Sequence, residues 1–100
     1  MAIDGSYKIV SESQMGKTEA VLHFRTDGNV LTGTNEVMGQ VLQIQNGKVD
    51  GNNFEFTEVM ESPMGKTEFF FKGTVDGDKI SGVIETSMGP PTSFTGTRIA

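Results

Sequence analysis

Ser62-Pro63-Met64-Gly65-Lys66-Thr67-Glu68 repeats Ser13-Gln14-Met15-Gly16-Lys17-Thr18-Glu19 with a single mismatch, at an offset of 49 residues. The match extends outward in both directions. Val10 and Glu12 fall on Val59 and Glu61, and Asp27 and Gly28 fall on Asp76 and Gly77. Gly33 falls on Gly82, and Glu36 on Glu85. Tyr7 on Phe56 and Leu31 on Ile80 are like-for-like pairs. A self-match of this density at one fixed period reads as a duplicated unit. The chain is therefore expected to be one domain over 1–100, with internal repeats at 4–48 and 53–98.

A shorter rhythm runs inside each copy. Met-Gly pairs stand at Met15, Met38, Met64 and Met88, each followed by Gly, and they alternate with Asp-Gly pairs at Asp27, Asp50 and Asp76. Asp-Gly between apolar runs signals a β-hairpin, because the favoured turns need positive φ. Glycine serves the Met-Gly turns for the same reason. The turns predict strands near 6–13, 18–26, 29–37, 40–48, 53–61, 67–75, 78–86 and 92–98. Apolar alternation supports them: Ala20, Leu22 and Phe24 interleave with Glu19, Val21, His23 and Arg25. No segment carries a helical period. The expected fold is all-β, an eight-stranded antiparallel up-and-down meander barrel built from two four-strand repeats. A two-sheet sandwich is the alternative, and the duplication favours the barrel.

Composition narrows the chemistry. The chain has 100 residues, no Cys, one His and a net charge of −5. Disulfides and thiolate metal sites are ruled out, and a structural zinc site has too few ligands. The acidic balance, without any basic run, speaks against nucleic acid and anionic membrane surfaces. No stretch approaches the roughly 20 apolar residues of a membrane span. No signal peptide is visible at the N-terminus, so the cytoplasm is the expected compartment, with a mature secreted form left open.

Gly5-Ser6-Tyr7 opens the first strand and Gly96-Thr97-Arg98 closes the last. This pattern resembles that of the calycins: lipocalins, fatty-acid-binding proteins and avidins. The resemblance implies an aromatic residue near the start meeting a basic one on the last strand, so that Tyr7 and Arg98 form a structural cap at one barrel end. Under the repeat Phe56 and Lys48 would form a second such pair. The Asp76-Gly77-Asp78-Lys79-Ile80-Ser81-Gly82 run and the Met-Gly turns also resemble small prokaryotic, bacterial-type domains of unassigned function.

Several motifs are weighed and set aside. Met-Gly-Lys-Thr looks like the end of a phosphate loop, but Ser11 and Met60 stand where its first Gly belongs, and a strand follows. Asp76-Gly77-Asp78 is too short for a calcium loop and fits a turn. His23 shares a strand face with Glu19 and Arg25, and its repeat mate is Lys72, which reads as an outer, solvated surface. No cofactor and no metal are expected.

Glu58 stands out. If Tyr7 and Phe56 point inward, so do Ile9, Ser11, Glu58 and Met60. An interior Glu is costly unless it is paired or wet, and it would be the one weak catalytic candidate. A bulge that turns Glu58 to water is the competing reading.

The methionines carry the functional expectation. Strand alternation gathers all the Met-Gly turns at one end, a place where Asn, Asp or Ser is usual. The leading expectation is a non-enzymatic binding module that holds a small apolar ligand, or a hydrophobic segment, at this end. Met15, Met38, Met60, Met64 and Met88 would make contact, above Phe24, Phe69, Phe71 and Phe94. Lys17 and Lys66 would meet an anionic head group. The contrary reading is that the methionines plug the barrel. A homodimer or accessory-subunit assembly module, using Val10, Val21, Val59, Phe70 and Val83 on the outer face, is the second hypothesis. A small enzyme using Glu58 with Tyr7 or Ser11 is the third.

Overall fold

The structure, a computed structural model, describes residues 3–13, 16–63, 65–86 and 89–100. Among these the strands are β1 (Gly5–Ser13), β2 (Gly16–Asp27), β3 (Val30–Val37), β4 (Gln40–Gln43), β5 (Gln45–Asp50), β6 (Asn53–Ser62), β7 (Gly65–Asp76), β8 (Lys79–Thr86) and β9 (Gly89–Arg98). β4 and β5 are two halves of one strand interrupted at Ile44, so eight strands run round the wall. Each strand pairs antiparallel with its chain neighbour, and β9 returns to β1. This is a closed up-and-down barrel and not a sandwich. The repeat is visible in strand length: β2 and β7 each span 12 residues, and β3 and β8 each span 8.

Period two decides what fills the interior. Tyr7, Ile9, Leu22, Phe24, Leu31, Phe54, Phe56, Phe71, Val75, Ile80 and Phe94 are buried together in one core. Six of the rings touch in sequence. Phe24 lies 5.5 Å from Tyr7 and 5.0 Å from Phe54, Phe56 stacks on Phe71 at 4.6 Å, and Phe71 reaches Phe94 at 5.9 Å. Rings this large fit because small residues face them. At Gly82 a Cβ would stand 2.8 Å from the Phe94 ring and 2.3 Å from the Lys72 carbonyl.

The turns differ from expectation in one detail. In the Asp-Gly hairpins the Asp is the last paired residue and Gly begins the loop, as Asp27 opposite Val30 shows. Met38-Gly39 is the loop in which both residues take positive φ, 53° and 78°. That is the backbone of a type I′ turn, with Met in a position that normally goes to Asn or Gly.

The interruption at Ile44 was not legible in the turn pattern. Leu42 and Ile44 face inward, yet the next inward residue is Val49. Asn46, at φ 54°, and Gly47 form a bulge that inserts one residue and shifts the alternation. Gly47 is needed there, since a Cβ would lie 2.1 Å from the Leu31 carbonyl. The shift corrects the expected Phe56/Lys48 pair. Lys48 lies outside, opposite Glu55, while Phe56 lies inside.

Candidate functional site

The two ends of the barrel are built differently. At the Asp-Gly end the Tyr7 hydroxyl donates to the Ile3 carbonyl at 2.9 Å, and Ile3 itself is buried. The Arg98 guanidinium sits 4.9 Å from the centre of the Tyr7 ring. It also donates to the Asp4 carbonyl and lies 3.4 Å from Asp78. Leu31, Val49, Val75 and Ile80 complete a dry seal beneath this cap.

At the Met-Gly end the inward-facing layer is only half-buried, at Val37, Met60, Thr67, Phe69 and Thr92. The wall also loosens there. Pairing of β1 with β9 reaches only to Ser11 opposite Phe94, and pairing of β5 with β6 only to Gln45 opposite Thr57. Among the described residues no ladder joins β4 to residues 58–62 of β6. The barrel therefore has a seam in its wall, and the seam begins next to Glu58.

Glu58 faces inward at 1% exposure, which decides between the two readings of that strand. Asn35, 3% exposed on β3, donates from Nδ2 to Glu58 Oε2 at 3.0 Å. That single bond leaves Asn35 Oδ1 and Glu58 Oε1 buried without a hydrogen-bond partner among the described residues. Each orphaned oxygen costs about 1–3 kcal/mol. Desolvation pushes the Glu58 carboxyl up to about 7, with the Asn35 bond pulling weakly the other way. Asn35 is the residue that sequence reasoning missed. The alternation through Leu31, Gly33 and Val37 already put it inside, and an interior amide was the available signal.

The remaining predicted residues are placed as follows. Phe24, Phe71 and Phe94 are packed ring to ring in the core, and Phe69 covers it from the open side. Met60 is half-buried on the inner face, opposite Thr67. Met38 is 80% exposed, so it does not plug the barrel. Met15, Met64 and Met88 lie outside the described residues. Lys17 and Lys66 alternate with inward residues and so face outward, each beside a Glu across its hairpin: Glu12 at 3.7 Å and Glu61 at 3.8 Å. Tyr7, proposed as a partner of Glu58 in an acid–base site, spends its hydroxyl at the opposite end on Ile3.

His23 stands on the outer face, as its alternation implied, and it is not alone there. Its Nδ1 meets Ser6 Oγ at 2.7 Å and its Nε2 meets Glu36 Oε1 at 2.9 Å. This Ser-His-Glu chain crosses β1, β2 and β3. The Ser6 backbone N–H is committed to the Ala100 carbonyl. An oxyanion donor at Ser6, which nucleophilic catalysis would need, is thus already spent, and the chain serves as a cross-strand staple.

No family model matches the chain, and no curated protein matches it. Among solved structures it is similar to a redesigned β barrel, with a TM-score of 0.72 and 12% identity over 99% of this chain and 93% of that one. It is also similar to a de novo designed fluorescence-activating β barrel, with a TM-score of 0.60 and 14% identity over 98% and 94% of the two chains. At such identities the likeness concerns the fold.

Proposed function

We propose that this barrel is a non-enzymatic binding module that takes a small apolar ligand into its Met-Gly end, with Asn35 and Glu58 as a polar floor. The observation that carries this reading is internal to the chain. At the repeat offset of 49 residues, Glu58 corresponds to Ile9 and Asn35 to Ile84. The equivalent positions where the two repeats meet are thus filled differently, by Ile9 of the first copy and Ile84 of the second on one side of the barrel, and by the under-bonded polar pair of Asn35 from the first and Glu58 from the second on the other. Folding alone gives no reason for the polar pair, since buried polar groups without full partners destabilise. A bound molecule that completes those hydrogen bonds gives one.

Met60, Phe69 and Val37, half-buried above the floor, offer an adaptable apolar lining. Met38 adds to this reading. An exposed methionine held at φ 53° serves neither packing nor turn stability. The calycin resemblance at Gly5-Ser6-Tyr7 and Arg98 is in keeping with a one-ended ligand barrel. Native mass spectrometry of protein purified without denaturation tests the reading. A co-purifying mass of a few hundred daltons, lost in the Asn35→Ile/Glu58→Ile variant, is the expected result. Bare monomer that also takes up no added apolar amine, alcohol or acid overturns it.

A second reading has its own observation. On the outer face Val59, Phe70 and Val83 lie on the adjacent strands β6, β7 and β8, each one pairing step along a diagonal from the next. Such a stripe suits an assembly module in which a second copy or a partner subunit covers it. The same spectrum reads it: a dimer without small-molecule mass favours this second role.

A further inference from the structure

We propose that the ligand is a hydrophobic amine, an apolar body bearing a primary ammonium whose N–H groups are received by Asn35 Oδ1 and Glu58 Oε1. The proposal rests on the reading of the barrel as a ligand-binding module and names the chemistry of the head group.

The two orphaned atoms are both oxygens, and they belong to side chains joined by the one bond from Asn35 to Glu58. Ionised, as a bound cation would hold it, the Glu58 carboxylate only accepts, and the free oxygen of the Asn35 amide only accepts. The floor therefore asks for donors, at two neighbouring points. A primary ammonium carries three N–H groups and can serve both. An alcohol carries one O–H and can serve one. A carboxylate or phosphate head group carries none and would place a second anion against Glu58.

Charge elsewhere argues the same way. The expectation that Lys17 and Lys66 receive an anion is not met by their placement, since both face outward beside Glu12 and Glu61. Arg98, the inward cation among the described residues, sits at the sealed end against Tyr7. The whole chain carries a net charge of −5, which raises the local concentration of cations around it. Inside, a charged pair with Glu58 in a desolvated site gives specificity, because removing either partner leaves the other charge unmatched. The body of the ligand would lie along Met60 and Phe69, on the open side of the core rings.

Three probes of equal chain length separate head group from body: octylamine, octanol and octanoate, titrated calorimetrically at about 0.15 M salt to screen the acidic exterior. Octylamine is expected to bind at least about tenfold more tightly than octanol, and octanoate more weakly than either. Glu58→Gln keeps the shape and removes the charge. It is expected to cost octylamine about tenfold or more while changing octanol by less than about twofold. The Asn35 side-chain amide resonances should shift with octylamine and stay in place with octanoate. Equal binding of all three probes, or an octylamine affinity unmoved by Glu58→Gln, overturns the amine while leaving the binding module intact. Failure of all three to bind the folded protein overturns both.

Discussion

The two repeats of this barrel meet at two junctions, β1 with β9 and β5 with β6, and the junctions are built differently. In the first, β1 brings Tyr7 against Arg98 of β9, and Ile9 continues the apolar wall. In the second, β6 brings Phe56 to the equivalent place, but Val49 replaces the arginine and Glu58 replaces the isoleucine. The bulge at Asn46 and Gly47 breaks the partner strand, and the hydrogen-bond ladder stops short of Glu58. One junction is therefore capped by Arg98, and the other is interrupted beside a buried polar pair.

The comparison breaks most severely if the polar junction is rebuilt on the apolar one. Asn35→Ile/Glu58→Ile copies the residues already present at Ile84 and Ile9. It should raise stability at pH 8 by about 3 kcal/mol, the cost of ionising a carboxyl held near 7 instead of near its unfolded value. The sign follows from proton uptake. Between about pH 4 and pH 7 the folded protein binds more protons than the unfolded chain, so wild-type stability falls as pH rises through that window and levels above it. The double variant should lose this slope. Urea denaturation at pH 4.5, 6 and 8 measures both effects, and a variant with an unchanged slope would remove Glu58 as its cause.

A smaller effect tests the capped junction. Arg98→Met keeps the aliphatic stem and deletes the contacts to the Tyr7 ring, the Asp4 carbonyl and Asp78. A loss of about 1–2 kcal/mol is expected, from the cation–π contact and one charge-assisted hydrogen bond. Amide exchange should quicken first at Gly5, Ser6 and Tyr7, leaving β6 protected. Uniform acceleration round the barrel would mean that the two junctions do not close independently.

The smallest effect concerns the rim. Met38→Asn places at φ 53° a residue that tolerates the left-handed region. A gain of about 0.5–1 kcal/mol is expected in thermal denaturation. If the site at this end needs Met38, ligand affinity falls while stability rises. A stability loss would show that the side chain contributes to the fold despite its exposure.

Much of this was readable from the residues themselves. Period two and recurrent Gly located every strand to within about three residues, because side-chain alternation and positive φ are local requirements. The same alternation placed Phe24, Phe71 and Phe94 inside, and it left Glu58 poised between two faces. It did not reveal the bulge at Asn46: Asn46-Gly47 carries a positive-φ signal of its own, but the Asp50-Gly51 turn three residues on accounts for the reversal of the chain. Nor did it connect Asn35 with Glu58, which stand 23 residues apart and meet across the broken strand.

What the chain determined alone is therefore the set of strands, their order and the two kinds of turn, all fixed within a few neighbouring residues. What tertiary structure decided is which end is sealed, where the wall parts and what Glu58 experiences. Those depend on closure, which brings β9 to β1 and β3 to β6. Only then does a carboxyl on an alternating strand lose its water and meet a single amide in exchange.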